Sequence, residues 1–145
     1  MKFYNRETEL SLLQRIREES LLNSKMTVLT GRRRIGKTRL IRHSLTNEKY
    51  LYFFVGRKDE KLFCEEFVDQ IKEVLEIPIF GKITAFKEVF SLLLNYSKDT
   101  PLNLVIDEFQ DFSRVNSSVF SEIQNLWDAH KEETKMNLIL SGSVY

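Results

Sequence analysis

The stretch GRRRIGKT at residues 31–38 decides the fold, and it follows a short run, Met26–Thr30, that is typical of a buried strand. It fits the pattern G-x-x-x-x-G-K-[ST] at every fixed position, and a helical pattern over Arg39–Leu45 comes next. Gly31 and Gly36 allow backbone conformations that a Cβ would forbid, so loop N–H groups and the helix N-terminus can converge on a phosphate. The motif therefore predicts a phosphate-binding loop, and an ordinary glycine-rich turn is the weaker alternative.

The side chains of this loop have separate predicted tasks. Lys37 supplies positive charge to the β- and γ-phosphates of a nucleotide and belongs to the predicted catalytic set, while the Thr38 hydroxyl is a hard oxygen ligand suited to Mg²⁺. Two hypotheses remain open for the arginines at 32–34. In the first, they point to solvent or pair with local acids. In the second, one of them contacts the nucleotide phosphates or a neighbouring subunit. The predicted nucleotide-binding residues here are Gly31, Arg34, Ile35, Gly36, Lys37, Thr38 and Arg39.

Composition limits the functional classes that remain. The chain has 145 residues, about the size of one domain, and 22 Lys and Arg against 21 Asp and Glu leave a formal charge of +1. This balance removes overall electrostatics as an argument for binding nucleic acid or a membrane. The single cysteine, Cys64, excludes an intrachain disulfide framework and a multi-cysteine zinc site. Its apolar helical surroundings indicate a small buried side chain.

The sequence carries no targeting or membrane signal. No apolar run approaches the length of a membrane span, and the opening residues lead into a polar turn rather than a signal peptide. We therefore expect a soluble cytoplasmic protein with no membrane partner.

Strand and helix patterns alternate along the chain. The predicted strands are Met26–Thr30, Tyr50–Val55, Leu102–Ile106 and Met136–Leu140. Helically spaced apolar residues predict helices that begin after Asn5 and cover residues 39–45, 62–75, 86–93 and 120–127. Continuously apolar strands that alternate with helices predict an α/β fold, in which a parallel sheet has helices on both faces. Such sheets place their ligand sites at the carboxyl ends of the strands.

Two carboxylates end the third predicted strand. Asp107 and Glu108 follow Leu104–Ile106 directly, and a strand end can turn both of them toward one cleft. We predict that Asp107 holds Mg²⁺ through water, opposite Thr38, and that Glu108 orients and polarises the attacking water. An exposed strand end with a turn is the alternative, and the intact phosphate loop in the same chain disfavours it.

Polar residues also follow the fourth predicted strand. Ser141 and Ser143 are predicted as catalytic hydroxyls that bind the water or the γ-phosphate, with a helix cap or turn as the alternative. Residues 110–111 either face the γ-phosphate region or begin the next loop. Arg57 and Arg114 are equally weak candidates for an arginine finger.

The chain resembles the archaeal-type ATPase family, a branch of the AAA-like STAND NTPases, in four segments that occur in order. Residues 3–10 resemble its opening FxxRExEL box, and residues 31–38 its GRRRxGKT phosphate loop. Residues 105–110 resemble its hhDEFQ acidic strand, and residues 138–143 its LILxGS sensor strand. The first and last segments are unspecific alone, but the ordered set is specific. The resemblance implies a three-layer P-loop NTPase core in which the third and first strands flank the fourth.

The resemblance also implies the nucleotide and its further contacts. It implies ATP with Mg²⁺ rather than GTP, and the sequence contains no N-K-x-D guanine-reading motif. By the same analogy residues 3–6 lie near the adenine, which adds Asn5 and Arg6 to the nucleotide-binding set. A simply capped helix start is the alternative for this segment.

Members of the family continue beyond the sensor strand with a fifth strand, a helical lid and a C-terminal region. The resemblance therefore leads us to expect an ATPase domain over residues 1–145 that lacks the last strand and the lid. An uncovered first strand would favour self-association, and a missing lid would make hydrolysis slow. A DNA or protein partner is expected only through the further region.

Two functions from different classes remain open. The first is an ATPase core whose turnover drives a conformational change, and the second is a nucleotide-gated switch with little turnover. Glu108 favours the enzyme, because a pure binding module does not need a second acid after Asp107. A small-molecule kinase is disfavoured, since neither an acceptor site nor an arginine-rich lid is visible in the sequence.

Overall fold

The computed structural model of the chain describes residues 7–31 and 36–143, which form helices and strands in alternation. The strands are β1 Lys25–Gly31, β2 Tyr50–Phe54, β3 Leu102–Asp107 and β4 Met136–Ser143. The helices are α1 Glu7–Glu19, α2 Lys37–Ser44, α3 Glu60–Leu75, α4 Phe86–Tyr96, α5 Phe112–Val115 and α6 Val119–His130, with single 3₁₀ turns at Phe109–Asp111 and Lys131–Glu133.

The four strands form one parallel sheet in the order β1-β4-β3-β2. The predicted parallel sheet is confirmed, and so is the implied position of the fourth strand between the third and the first. Helix α2 covers one face, where Ile41 and Leu45 pack on Val105 and Ile139. Helices α3, α4 and α6 cover the other face with the larger part of the core. This gives the three layers that the sequence predicts.

Phenylalanines build the core on the α3 and α4 face. Phe53 of β2 stacks on Phe67 of α3 with ring centroids 4.0 Å apart, and Phe86 lies 4.8 Å from Phe112. The apolar residues of α3 recur at helical spacing, so Phe63, Phe67 and Ile71 all face inward and are buried. Each fully buried ring of this kind contributes about 3–5 kcal/mol relative to alanine.

The two outer strands differ in how their edges are covered. In β2, the Tyr52 N–H donates to Gln70 Oε1 at 2.5 Å, and Gln70 Nε2 donates to the Tyr52 carbonyl at 2.9 Å. A side-chain amide from α3 therefore pairs with the edge as another strand would. In β1, by contrast, Val28 is 53% exposed. The prediction of a buried first strand was wrong, because β1 lies at the edge of the described sheet rather than inside it.

The fourth strand is longer than its apolar pattern indicates. It runs through Ser143 instead of ending at Leu140, because Ser141 still pairs in register with Asp107 and with Leu29. The polar S-G-S sequence is typical of a turn, yet it remains in the sheet because β4 has a strand on each side. Both serines therefore occupy fixed positions. Among the described residues, no helix is long and apolar enough to cross a membrane.

Candidate functional site

A cleft of about 220 Å³ lies where α2 begins and where β3 and β4 end. We call it the phosphate cleft, and it is lined by Gly36, Lys37, Thr38, Arg39, Asp107, Glu108 and Ser143. Three separate segments of sequence meet there, as expected for the carboxyl ends of parallel strands. The predicted contacts Asn5, Arg6, Arg34 and Ile35 lie outside the described residues.

The phosphate side of the cleft is the N-terminus of α2. Gly36 caps this helix in the left-handed conformation with φ 85°, which a residue with a Cβ adopts only at a cost. The Gly36 carbonyl accepts a hydrogen bond from the N–H of Leu40 at 3.0 Å, which is the first hydrogen bond of the helix. Lys37 is the first residue of α2, and its Nζ donates to the carbonyl of Gly31 at 3.2 Å. A helix N-terminus beside a lysine is a favourable place for phosphate oxygens.

Thr38 and Asp107 face each other across the cleft, and a third residue lies between them. The Tyr52 hydroxyl donates to Asp107 Oδ2 at 2.6 Å and lies 3.4 Å from Thr38 Oγ1. Burial, followed by this hydrogen bond, raises the pKa of the Tyr52 phenol above its ordinary value. The phenol is therefore neutral at physiological pH and acts as a donor to the carboxylate. Sequence analysis missed Tyr52, because it belongs to an aromatic strand that otherwise indicates core.

The chain turns sharply after Asp107. Glu108 adopts a left-handed conformation with φ 55° and ψ 41°, and its N–H donates to Asp107 Oδ1 at 2.8 Å. Such a conformation costs a residue with a Cβ about 1 kcal/mol or more. The turn brings both carboxylates to the phosphate cleft, although adjacent residues on a regular strand point to opposite faces. Asp107 and Glu108 therefore both line the phosphate cleft.

Two donors hold the Glu108 carboxylate. Ser143 Oγ donates to Glu108 Oε1 at 2.8 Å, and Gln110 Nε2 donates to Glu108 Oε2 at 2.6 Å. The Ser143 N–H also donates to Gln110 Oε1 at 3.4 Å, which closes the group. We call Glu108, Gln110 and Ser143 the glutamate clamp. Charge-assisted hydrogen bonds of this kind are roughly twice as strong as neutral ones, so Glu108 is held in one orientation.

Gly142 makes this clamp sterically possible. A Cβ at position 142 would lie 2.7 Å from Gln110 Oε1 and 3.1 Å from Phe109 Cε1. Both distances are shorter than an ordinary van der Waals contact. Glycine is needed here for the close approach of the turn after β3, and the sequence analysis did not assign it a role.

The remaining candidates fall outside the cleft. Ser141 is 1% exposed and does not line it, because it lies two residues deeper in β4 than Ser143. Its Oγ has no hydrogen-bond partner in the part of the chain that the structure describes. Arg114 pairs with Asp111 at 2.7 Å, and Arg57 and Arg114 line a different cleft beyond β2. Residues 110–111 lie in the same 3₁₀ turn, where Gln110 contacts Glu108 and Ser143, whereas Asp111 pairs with Arg114.

The oxygen groups of the phosphate cleft fit Mg²⁺ and a nucleotide. Mg²⁺ prefers one or two carboxylates together with substrate phosphates and waters, and Asp107 and Thr38 supply oxygens of this type. A cage of three or more His, Cys, Asp or Glu side chains is not found within residues 7–31 and 36–143. Asp107 and Thr38 thus provide oxygens for a metal that also takes phosphate oxygens and waters as ligands.

The comparisons with known proteins agree with this geometry. The profile of a family described as an ATPase domain predominantly from Archaea matches residues 3–144. An uncharacterised protein of Methanocaldococcus jannaschii is 30% identical over 141 residues, which cover 97% of this chain and 29% of that protein. The chain thus spans less than a third of the length of this curated relative.

Solved structures share the fold. Cdc6p from Pyrobaculum aerophilum is similar with a TM-score of 0.66 at 20% identity, over 99% of this chain and 40% of that one. A Walker-type ATPase of Pyrococcus abyssi is similar with a TM-score of 0.66 at 22% identity, over 94% of this chain and 44% of that one. The predicted α/β fold of the P-loop ATPase class is confirmed.

Proposed function

Because the chain belongs to the family of ATPase domains found predominantly in Archaea, we propose that it binds ATP with Mg²⁺ in the phosphate cleft and hydrolyses it. One observation carries the proposal. The start of α2, the Asp107 carboxylate, and Glu108 and Ser143 of the glutamate clamp all border the same cleft. Phosphate binding, metal binding and activation of water therefore have separate groups within one site.

The residues on the loop side of the cleft bind the phosphates of the nucleotide. Lys37 and the N-terminus of α2 attract the β- and γ-phosphates, and Gly36 leaves room for the backbone to approach them. Thr38 and Asp107 are the residues that would hold Mg²⁺, which supplies neutralising charge to the phosphates when bound. Arg39 lines the same cleft and adds positive charge beside the nucleotide.

Glu108 activates the attacking water. Its carboxylate accepts a hydrogen bond from the attacking water and orients the water toward the γ-phosphorus. Ser143 and Gln110 keep the carboxylate in place, which limits the reorganisation needed at the moment of reaction. A positioned base of this kind contributes about 10²–10⁴-fold to the rate.

The decisive experiment compares binding with turnover. Isothermal titration with ATP and Mg²⁺ measures affinity, and release of inorganic phosphate measures turnover. We expect Lys37→Ala to abolish micromolar binding, and Glu108→Gln to lower turnover about 100-fold or more while affinity is retained. Glu73→Gln is the matched control, because Glu73 is exposed on α3 and does not line the cleft. Equal turnover in Glu108→Gln and wild type would refute the catalytic role.

A nucleotide-gated switch is the second candidate, and the glutamate clamp favours it. Both oxygens of Glu108 already accept hydrogen bonds from Ser143 and Gln110. A γ-phosphate that draws Ser143 or Gln110 away would change the turn after β3 without any hydrolysis. This candidate predicts that ATP and ADP bind with clearly different affinities while phosphate release stays at background.

The role of the activity in the cell is part of the proposal. On the resemblance of the four segments, we place the chain in the AAA-like STAND branch, where turnover drives a conformational change in the rest of a longer protein. Binding of DNA or of another protein would belong to that remaining part. Self-association of this chain would use the edge of β1, where Val28 is exposed.

A further inference from the structure

The Tyr52 hydroxyl is the feature of the cleft that the proposed function leaves unexplained. It lies 2.6 Å from Asp107 Oδ2 and 3.4 Å from Thr38 Oγ1, which are the two side chains assigned to magnesium. The phenol has a single proton, and the shorter contact to a charged acceptor takes it. Tyr52 therefore restrains the metal-binding carboxylate from the side of β2.

Every other part of Tyr52 is restrained as well. Its backbone N–H and carbonyl are both hydrogen-bonded to the Gln70 side-chain amide. The Arg42 guanidinium lies over its ring, 4.3 Å from the centroid, and Arg42 Nη1 donates to the Tyr50 hydroxyl at 2.8 Å. The ring is thus held between α2 and the sheet, and the position of its hydroxyl is defined.

The carboxylate depends on this hydroxyl for its orientation. Asp107 Oδ1 accepts the N–H of Glu108, and Oδ2 accepts the Tyr52 hydroxyl. Without the Tyr52 hydroxyl, Oδ2 loses a donor that restrains it, and the carboxylate is freer to rotate. Donors to a metal-binding carboxylate fix its direction, and their loss typically lowers metal affinity about 10–100-fold.

We propose that Tyr52 is a positioning residue for magnesium, which acts by holding the Asp107 carboxylate toward Thr38. The inference rests on the proposed function, since it concerns the metal of that same site. It extends the functional residues to β2, a strand that carries none of the sequence motifs. Tyr52 acts through Asp107 and does not need to touch the nucleotide.

The test measures how strongly Mg²⁺ enhances nucleotide binding, and it does not depend on turnover. The 145-residue chain is titrated with MgCl₂ at a fixed concentration of a fluorescent methylanthraniloyl ATP analogue. Tyr52→Phe removes one oxygen and keeps the ring under Arg42. Tyr96→Phe is the matched control, because it removes the same atom from α4 on the opposite face of the sheet.

We expect Tyr52→Phe to raise the Mg²⁺ concentration at half-maximal enhancement about tenfold or more. Binding of the analogue without metal should stay at the wild-type value, as should the Mg²⁺ requirement of Tyr96→Phe. The melting temperature of Tyr52→Phe is expected to fall, because a hydrogen bond to a charged acceptor is lost, so the titration is run well below it. Replacing Mg²⁺ by Mn²⁺ gives a second readout, since the electron paramagnetic resonance spectrum reports the bound ion directly.

Three results would overturn the inference. An unchanged Mg²⁺ requirement in Tyr52→Phe means that the hydroxyl has a structural role only. A lower requirement means that the hydroxyl competes with the metal instead of preparing its site. If Mg²⁺ has no effect on nucleotide binding in the wild-type chain, the proposed function fails and this inference fails with it. A failure confined to Tyr52→Phe, by contrast, leaves the proposed function standing.

Discussion

Replacement of Gly142 by alanine tests how the glutamate clamp is built. The added Cβ would lie 2.7 Å from Gln110 Oε1, so the Gln110 side chain must move. Its 2.6 Å hydrogen bond to Glu108 is then lost or lengthened. Overpacking costs about 1–3 kcal/mol, and a hydrogen bond to a charged group contributes about 1.5–3 kcal/mol. Since the movement relieves part of the overlap, we expect Gly142→Ala to destabilise the fold by about 2 kcal/mol.

A double-mutant cycle with Gln110→Ala separates the causes. In the Gln110→Ala background the clash partner and its hydrogen bond are already absent, and only the 3.1 Å approach to Phe109 remains. The cost of Gly142→Ala should therefore fall by about 1 kcal/mol. Urea unfolding can be followed by the fluorescence of Trp127, the sole tryptophan, which is 5% exposed in the fold. The same cost in both backgrounds would refute the idea that Gln110 requires glycine at position 142.

Three further predictions concern the core, the cysteine and the sheet edge. Phe53→Ala should cost about 3–5 kcal/mol in urea unfolding, because the ring is fully buried and stacks on Phe67; a cost below 1 kcal/mol would contradict this packing. Burial raises the pKa of the Cys64 thiol to about 12 from 9.0, so its contribution to stability is present below pH 9 and is lost as pH rises toward 12. When stability is measured at increasing pH, Cys64→Ala should lose less stability between pH 9 and pH 12 than the wild-type chain. An identical pH dependence of the two proteins would contradict the raised pKa of Cys64. Val28→Lys should change stability by less than about 0.5 kcal/mol and reduce concentration-dependent association in sedimentation velocity, whereas unchanged association would exclude the β1 edge.

Sequence reasoning located the main parts of the cleft because their signals are local. The glycine-rich motif fixes Lys37 and Thr38 at the start of a helix, and an apolar strand ending in Asp107 and Glu108 brings carboxylates to the same edge of a parallel sheet. The order of the strands came from the resemblance to a family. Apolar periodicity alone does not determine which parallel strands are neighbours.

The residues that sequence reasoning missed depend on contacts between distant segments. Tyr52 becomes a donor to Asp107 only because β2 pairs with β3, 55 residues further along the chain. Gly142 is required by the side chain of Gln110, which no local pattern reveals. Ser141 and Ser143 look equivalent in the sequence, but Ser143 lies two positions further along β4, and only Ser143 lines the cleft.

The Gln70 amide that pairs with Tyr52 limits how copies of this chain can assemble. An open filament of sheets needs two free edges on each copy, so that every molecule can accept one neighbour and offer itself to the next. Gln70 occupies the centre of β2, which leaves β1 as the available edge within residues 7–31 and 36–143. Two β1 edges related by a twofold axis would form a closed pair that cannot grow. Because Gln70 blocks the centre of the β2 edge, we expect association through β1 to stop at a closed pair.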